Sequence, residues 1–342
     1  MNDATEPGPT MRALVLEELN SDMELRTIPR PVPHHGEVLV RIEASGVNML
    51  DTKIRTGNAP HARVTVPAVL GMDLAGEVTE IGPGVTRFAV GDEVYGMTGG
   101  VGDSQGTLAE YSAVDADLLA LKPATLTMRQ AAALPLSVIA AWEGLVDRAN
   151  VHEGQTVLVH GGAGGVGHVA VQIAAARGAR VFATDREDRL PTIRAFGAEP
   201  IDYERTPVEQ YVAACTDGQG FDIVFDTVGG ETLEESFKSV RAHTGHVLSV
   251  LGWGARSLGP LSFRGATYSG VFTLLPILTG QGRAHHGDIL RAAATLVDSG
   301  QLTPLVDQRT YGLESVTQAH KVVETGTARG KVVITIAGST SS

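Results

Sequence analysis

The chain contains a single cysteine, Cys215. One thiol excludes an internal disulfide and any zinc site built from several cysteines, and it suits a reducing compartment. No apolar run reaches the roughly 18 residues of a membrane span. No Lys/Arg run interrupts a chain of formal net charge −12, which argues against nucleic acid or an anionic membrane as partner. Residues 1–10 are polar and lack the apolar core of a secretory signal. They and residues 339–342 are expected to be flexible tails, and the protein to be cytoplasmic. What remains is 342 residues, 43% hydrophobic and 19% charged, enough for two domains with a full core each.

Residues 11–122 read as β-rich. Strand candidates are 11–17, 37–44, 76–81 and 109–114, punctuated by Gly, Pro and Asp. Short strands at close spacing suggest a small barrel. Over 128–275 strands alternate with helices: strands at 156–160, 180–184, 223–226 and 246–251, helices at 131–148, 166–177 and 232–241. That alternation predicts an α/β domain with a doubly wound parallel sheet. A helix at 287–299 and a final strand at 331–336 close the chain.

The most informative segment runs from Val157 to Ala170. An apolar strand leads into Gly162, Gly164 and Gly167, in G-x-G-x-x-G spacing, and an Ala-rich helix follows. Strand, glycine turn and helix in that order make a dinucleotide-phosphate site. Gly162 is expected to permit the tight turn, Gly164 to let a pyrophosphate approach the backbone, and Gly167 to let helix and strand pack closely. The helix amino end offers free N–H groups to the phosphates.

Further motifs carry a family resemblance. They are Gly46-Val-Asn48-x-x-Asp51-x-x-x-Arg55-x-Gly57, Gly71-Met-Asp73-Leu-Ala-Gly76, Gly91-Asp-Glu-Val-Tyr95-Gly96, Gly106-Thr-Leu-Ala-Glu110-Tyr111, Phe221-Asp-x-Val-Phe-Asp and Ala328-Arg-Gly-Lys-Val-Val333. With the glycine motif, in this order and spacing, the chain resembles the medium-chain dehydrogenase/reductase superfamily, in its zinc-free quinone oxidoreductase-like branch. The resemblance implies a Rossmann domain (128–275) inserted in a GroES-like β-barrel catalytic domain (11–127 plus 276–338), with the active site in the cleft between them. It implies a small-molecule substrate, and a homodimer formed through the edge strand near Ala266–Phe272. It implies a cofactor held by Gly162, Ala163, Gly164, Gly165, Val166, Gly167, Thr184, Asp185, Arg186, Tyr203, Val228 and Leu251.

Alcohol dehydrogenases of the superfamily bind a catalytic zinc through Cys, His and Cys. By the resemblance those positions hold Asn48, Met72 and Ser137 or Val138, which make no zinc ligand set. A metal-free enzyme is therefore expected, reducing acceptors whose negative charge spreads by conjugation: quinones or α,β-unsaturated carbonyls. Such chemistry needs orientation, a dry cleft and one or two hydrogen-bond donors. Asn48 is the first catalytic candidate, as donor to substrate or to the nicotinamide ribose, or else a loop cap. Tyr95 is the second, as hydroxyl donor or as packed aromatic. Asp51 and Arg55, at i,i+4, read as an ion pair. Asp73 reads as a buried acceptor for backbone or Arg55.

The coenzyme reading has two sides. Asp185 lies 18 residues after Gly167, where an acidic side chain bonds a ribose 2′-hydroxyl and favours NAD(H). It also suits a helix N-cap. Arg186 and Arg189 suit a 2′-phosphate, and the resemblance aligns Tyr203 beside that phosphate. NADP(H) is favoured, with NAD(H) the alternative. The rival functions are a zinc-type alcohol dehydrogenase and a nucleotide-binding homologue without vigorous turnover.

Overall fold

A computed structural model describes residues 8–336. Of the two expected tails, residues 1–7 and 339–342 lie outside the described residues; the first strand already begins at Thr10. The chain divides into two units. One comprises residues 1–136, 274–294 and 306–342, the other residues 137–273 and 295–305.

The first unit is an antiparallel β structure. Its strands are β1 (Thr10–Leu16), β2 (Glu24–Pro29), β3 (Glu37–Gly46), β4 (Ala68–Val69), β5 (Asp73–Ile81), β6 (Glu93–Met97), β7 (Tyr111–Asp115) and β8 (Leu119–Leu121). β1 lies between β2 and β4, while β3 lies between β5 and β7. The long β3 buries Val38, Val40 and Ile42 completely or nearly so, and two register shifts along β5 bend it. Gly46 ends β3 where a Cβ would meet the Ala132 carbonyl oxygen at 2.2 Å. Only glycine lets the turn after the helix Met128–Ala131 come that close.

The second unit holds β9 (Thr156–His160), β10 (Arg180–Asp185), β11 (Glu199–Asp202), β12 (Ile223–Asp226), β13 (His246–Ser249) and β14 (Thr267–Gly270). All six are parallel, in the order β11-β10-β9-β12-β13-β14. Strand order reverses between β9 and β12, which makes their carboxyl ends the switch point where a doubly wound sheet takes its ligand. One face is sealed by Leu158, Phe182, Phe221, Val224, Leu233 and Phe237.

The chain then returns to the first unit. β15 (Tyr311–Gly312) and β16 (Val333–Thr335) join its sheet, with β16 antiparallel to β3 and Val333 opposite Gly46. Two expectations need correcting. The helix expected over 131–148 is three pieces: Met128–Ala131, Pro135–Trp142 and a π-helical turn at Glu143–Arg148. Pro135 has no N–H to continue the first piece and starts the second. Residues 295–305, expected with the barrel, belong to the second unit. There Thr303 exchanges two hydrogen bonds with the Gln172 side chain, and the Leu305 N–H donates to His168 Nε2 at 3.1 Å. Among the described residues no helix is long and apolar enough to cross a membrane.

Candidate active site

The first unit gathers a buried polar cluster around the end of β3. Asn48 follows β3 and precedes the helix Met49–Arg55, Asp73 opens β5 opposite Gly46, and Lys331 lies two residues before β16. The register of three strands thus converges on one point. Lys331 Nζ donates to Asn48 Oδ1 and lies 3.5 Å from Asp73 Oδ2. Asn48 Nδ2 donates to Asp73 Oδ2 at 2.9 Å, and Asp73 Oδ1 accepts the Leu136 N–H at 2.9 Å. Asp73 is 0% exposed, Lys331 5% and Asn48 6%. Asn48 is the N-cap residue of the helix, where the Asp51 N–H donates to its backbone carbonyl at 3.0 Å; its side chain is held at both ends by Lys331 and Asp73.

Asp51 Oδ2 accepts the Asn48 N–H at 2.7 Å, which fixes the backbone at the start of the helix. Asp51 Oδ1 is buried without a hydrogen-bond partner. Burial pushes the Asp51 carboxyl up to about 7, and the neighbouring Asp73 pushes the same way. Burial also raises Asp73, against the opposing pull of Lys331 and Asn48. Arg55 pairs not with Asp51 or Asp73 but with Glu324, at 2.9 Å. One helical turn separates Asp51 and Arg55, but Asp51 is turned to the backbone of Asn48.

Tyr95 is also corrected as a catalytic candidate. It is 0% exposed, and its hydroxyl donates to the Leu290 carbonyl at 2.6 Å. Its single proton is given to backbone, which leaves the packed-aromatic role.

The second unit places the glycine motif between β9 and the helix Gly167–Ala176. The residue that takes left-handed backbone is Gly161, with φ of 72°, rather than Gly162. Gly162 is needed because a Cβ there would meet that of Ala183 at 2.5 Å. At Gly167 a Cβ would lie 2.0 Å from the Gly161 carbonyl oxygen, so helix and strand approach through it. At Gly164 a Cβ would meet only the Gly161 carbonyl, at 3.0 Å, with no other residue beyond its chain neighbours within 4 Å. The Gly161 and Gly162 N–H groups donate to the Thr184 carbonyl, and that of Gly164 to the Gly161 carbonyl. Those of Gly165, Val166 and Gly167 take no acceptor among the described residues. Free amides at the positive end of a helix form a seat for an anion.

The strand ends support this loop. Asp185 accepts the Ala163 N–H at 3.0 Å and the Arg186 N–H at 2.9 Å. Its carboxylate braces the glycine loop and caps no helix. The Thr184 hydroxyl lies 3.0 Å from His160 Nδ1. His160 is buried, with Nε2 unpartnered, and burial lowers its pKa to about 4. Tyr203 is half exposed and follows Asp202, which pairs with Asp185 across β10 and β11; Arg186 lies close enough to act on its ionisation. Sequence reasoning missed Asp226 and Ser249. Asp226 Oδ1 accepts the N–H groups of Val228 and Gly229, and Oδ2 accepts the Ser249 hydroxyl, which in turn accepts the Leu251 N–H. One carboxylate thereby sets the loops carrying Val228 and Leu251. A polar residue closing a buried apolar strand was the available signal.

A family model described as "Alcohol dehydrogenase GroES-like domain" matches residues 34–124, and one described as "Zinc-binding dehydrogenase" matches residues 196–334. The NADPH-dependent alkenal/one oxidoreductase, chloroplastic, of Arabidopsis thaliana is 33% identical over 312 residues, 89% of this chain and 73% of that protein. The chain belongs to the medium-chain dehydrogenase/reductase superfamily. Two solved structures show the same fold. An alcohol dehydrogenase superfamily protein from Novosphingobium aromaticivorans matches with TM-score 0.94 at 57% identity, over 96% of this chain and 100% of that one. The quinone oxidoreductase from Coxiella burnetii matches with TM-score 0.83 at 28% identity, over 96% and 100%. A GroES-like domain with a Rossmann domain is thus the architecture of this chain.

Proposed function

We propose that this protein is a metal-independent, NADPH-dependent reductase that transfers hydride to a quinone or an α,β-unsaturated carbonyl. The observation that carries the reading is the fixed carboxamide of Asn48, held by Lys331 and Asp73 where zinc-bearing members have a thiolate. Zinc does not fit this donor set. Asn48 Oδ1 already receives an ammonium group, Met72 is a fully buried apolar residue, the third position offers only the buried Ser137 hydroxyl or the apolar Val138, and a dication here would face a fixed cation. Among the described residues no group of three or more His, Cys, Asp or Glu side chains could hold a metal ion. The alkenal/one reductase of Arabidopsis and the Coxiella quinone oxidoreductase support an acceptor conjugated to its carbonyl.

The residues present fit a nicotinamide coenzyme. The free N–H groups of Gly165, Val166 and Gly167 would hold the pyrophosphate, with Gly164 leaving it room, and Val228 and Leu251 would flank the bound molecule. Bound there, the reduced coenzyme supplies hydride. Arg186 and the half-exposed Tyr203 would take a 2′-phosphate, while Asp185 is engaged with backbone; this favours NADPH. As hydride reaches the conjugated carbon, electron density moves to the carbonyl oxygen. Asn48 Nδ2–H donates to that oxygen, and water protonates the product. A fixed donor aimed at developing charge is worth about 10²-fold or more in rate.

The free edge of β14 invites a second copy of the chain, giving a homodimer. A reducing compartment such as the cytoplasm suits the single thiol. The test is steady-state assay of the purified chain on a quinone and enone panel with each coenzyme, before and after chelation. Turnover that prefers NADPH and survives chelation is expected. A stoichiometric zinc whose removal abolishes turnover, or no turnover on any acceptor, contradicts the reading.

A further inference from the structure

A carboxamide turned half-way about its terminal bond offers an acceptor where it had offered a donor. Asn48 is denied that freedom. On one side stands Lys331, which has only donors; on the other stands Asp73, which as a carboxylate has only acceptors. The flipped amide would set N–H against the ammonium and carbonyl oxygen against the carboxylate, losing both charge-assisted bonds at a site closed to water. Each partner is itself anchored. Asp73 Oδ1 takes the Leu136 N–H, and Lys331 is set by the pairing of β16 on β3, where the Val47 N–H donates to the Val332 carbonyl at 2.8 Å. The Asn48 backbone is pinned by Asp51. Nδ2 carries two hydrogens, and Asp73 takes one. The second has no acceptor among the described residues. A positive charge bonded to Oδ1 also polarises the amide and strengthens that remaining N–H as a donor.

We propose that Lys331 is a positioning residue for the reaction: it holds the Asn48 oxygen so that Nδ2–H, and not Oδ1, meets the substrate carbonyl oxygen. This rests on the reductase reading of the preceding section. It assigns to the chain's own lysine the electrostatic work that a metal performs in zinc-bearing members. The lysine acts through Asn48 and does not touch substrate.

The test is a double-mutant cycle on Asn48→Ala and Lys331→Met, with Lys331→Arg as the conservative variant. Lys331→Met is expected to lower kcat by about 10- to 100-fold, as loss of a supporting partner does elsewhere, with NADPH affinity unchanged. Lys331→Arg should restore most of that loss. In the Asn48→Ala background Lys331→Met should cost nothing further, because the group it positions is gone. Losses that multiply, or wild-type kcat in Lys331→Met, overturn the proposal. If Lys331→Met does not fold, Lys331→Gln takes its place in the cycle. Wild-type turnover on the acceptor panel tests the reductase reading separately. If the wild type turns over none of the acceptors, that reading fails, and the side-chain amide resonance of Asn48 in 15N-labelled protein still decides the hold of Lys331. A shift between wild type and Lys331→Gln sustains it, and an unchanged resonance overturns it.

Discussion

Two glycines of one loop differ in what they do. Gly167 is required by the protein and Gly164 by what the protein holds, since a Cβ at Gly164 meets little but the Gly161 carbonyl. Gly164→Val is therefore expected to leave the fold nearly intact while weakening nucleotide binding tenfold or more, about 1.4 kcal/mol. Calorimetric titration beside a thermal melt checks this, and unchanged affinity in a folded variant contradicts it. The glycine roles were half legible. The spacing named the right loop, yet left-handed backbone falls at Gly161, because φ depends on how the turn leaves β9. Tyr95 was misjudged for a related reason. Its hydroxyl partner, Leu290, lies 195 residues away, and no local pattern announces it.

Elements were most legible where periodicity was strong. Four of the six parallel strands, β9, β10, β12 and β13, and the helix after the glycine loop follow directly from apolar runs and turn residues. β2 is exposed along most of its length, and β11 is four residues with Pro200 inside; neither shows the pattern of a buried strand. The Lys331 side chain escaped notice because 283 residues separate it from Asn48. Only the pairing of β16 with β3 joins them. Close helix–strand packing gives a prediction at this scale. Gly167→Ala places a methyl 2.0 Å from a carbonyl oxygen, and the helix must move away. A loss of about 1–3 kcal/mol is expected, read by urea unfolding; wild-type stability contradicts it.

The helix Val316–Glu324 gives a second one. Its His320 is buried with neither ring nitrogen partnered. Burial, reinforced by Arg55, lowers its pKa to about 4. The unfolded chain binds this proton below about 6.5 and the folded chain only near 4, so the stability tied to neutral His320 is lost as pH falls across that window. Asp51 works in the opposite sense, its raised pKa adding stability as pH falls below about 7. A His320→Leu variant isolates the first effect. Its stability relative to wild type should rise by roughly 2 kcal/mol between pH 7 and pH 5. A difference that does not change with pH contradicts the assignment.

At the scale of the molecule, the two units bring different chemistry. The Rossmann sheet offers free amides and an open glycine at its switch point, and the GroES-like unit offers a carboxamide locked by opposite charges. The single cysteine had already excluded multi-cysteine metal sites, while the family motifs named the architecture. What the motifs left open was how Asn48 is held, which needed three strand registers at once. The reductase reading depends first on the glycine loop receiving a coenzyme. Titration of the purified chain with NADPH and NADH, followed by calorimetry, tests this most directly. One site per chain, tighter for NADPH, is predicted; binding of neither coenzyme would contradict the account.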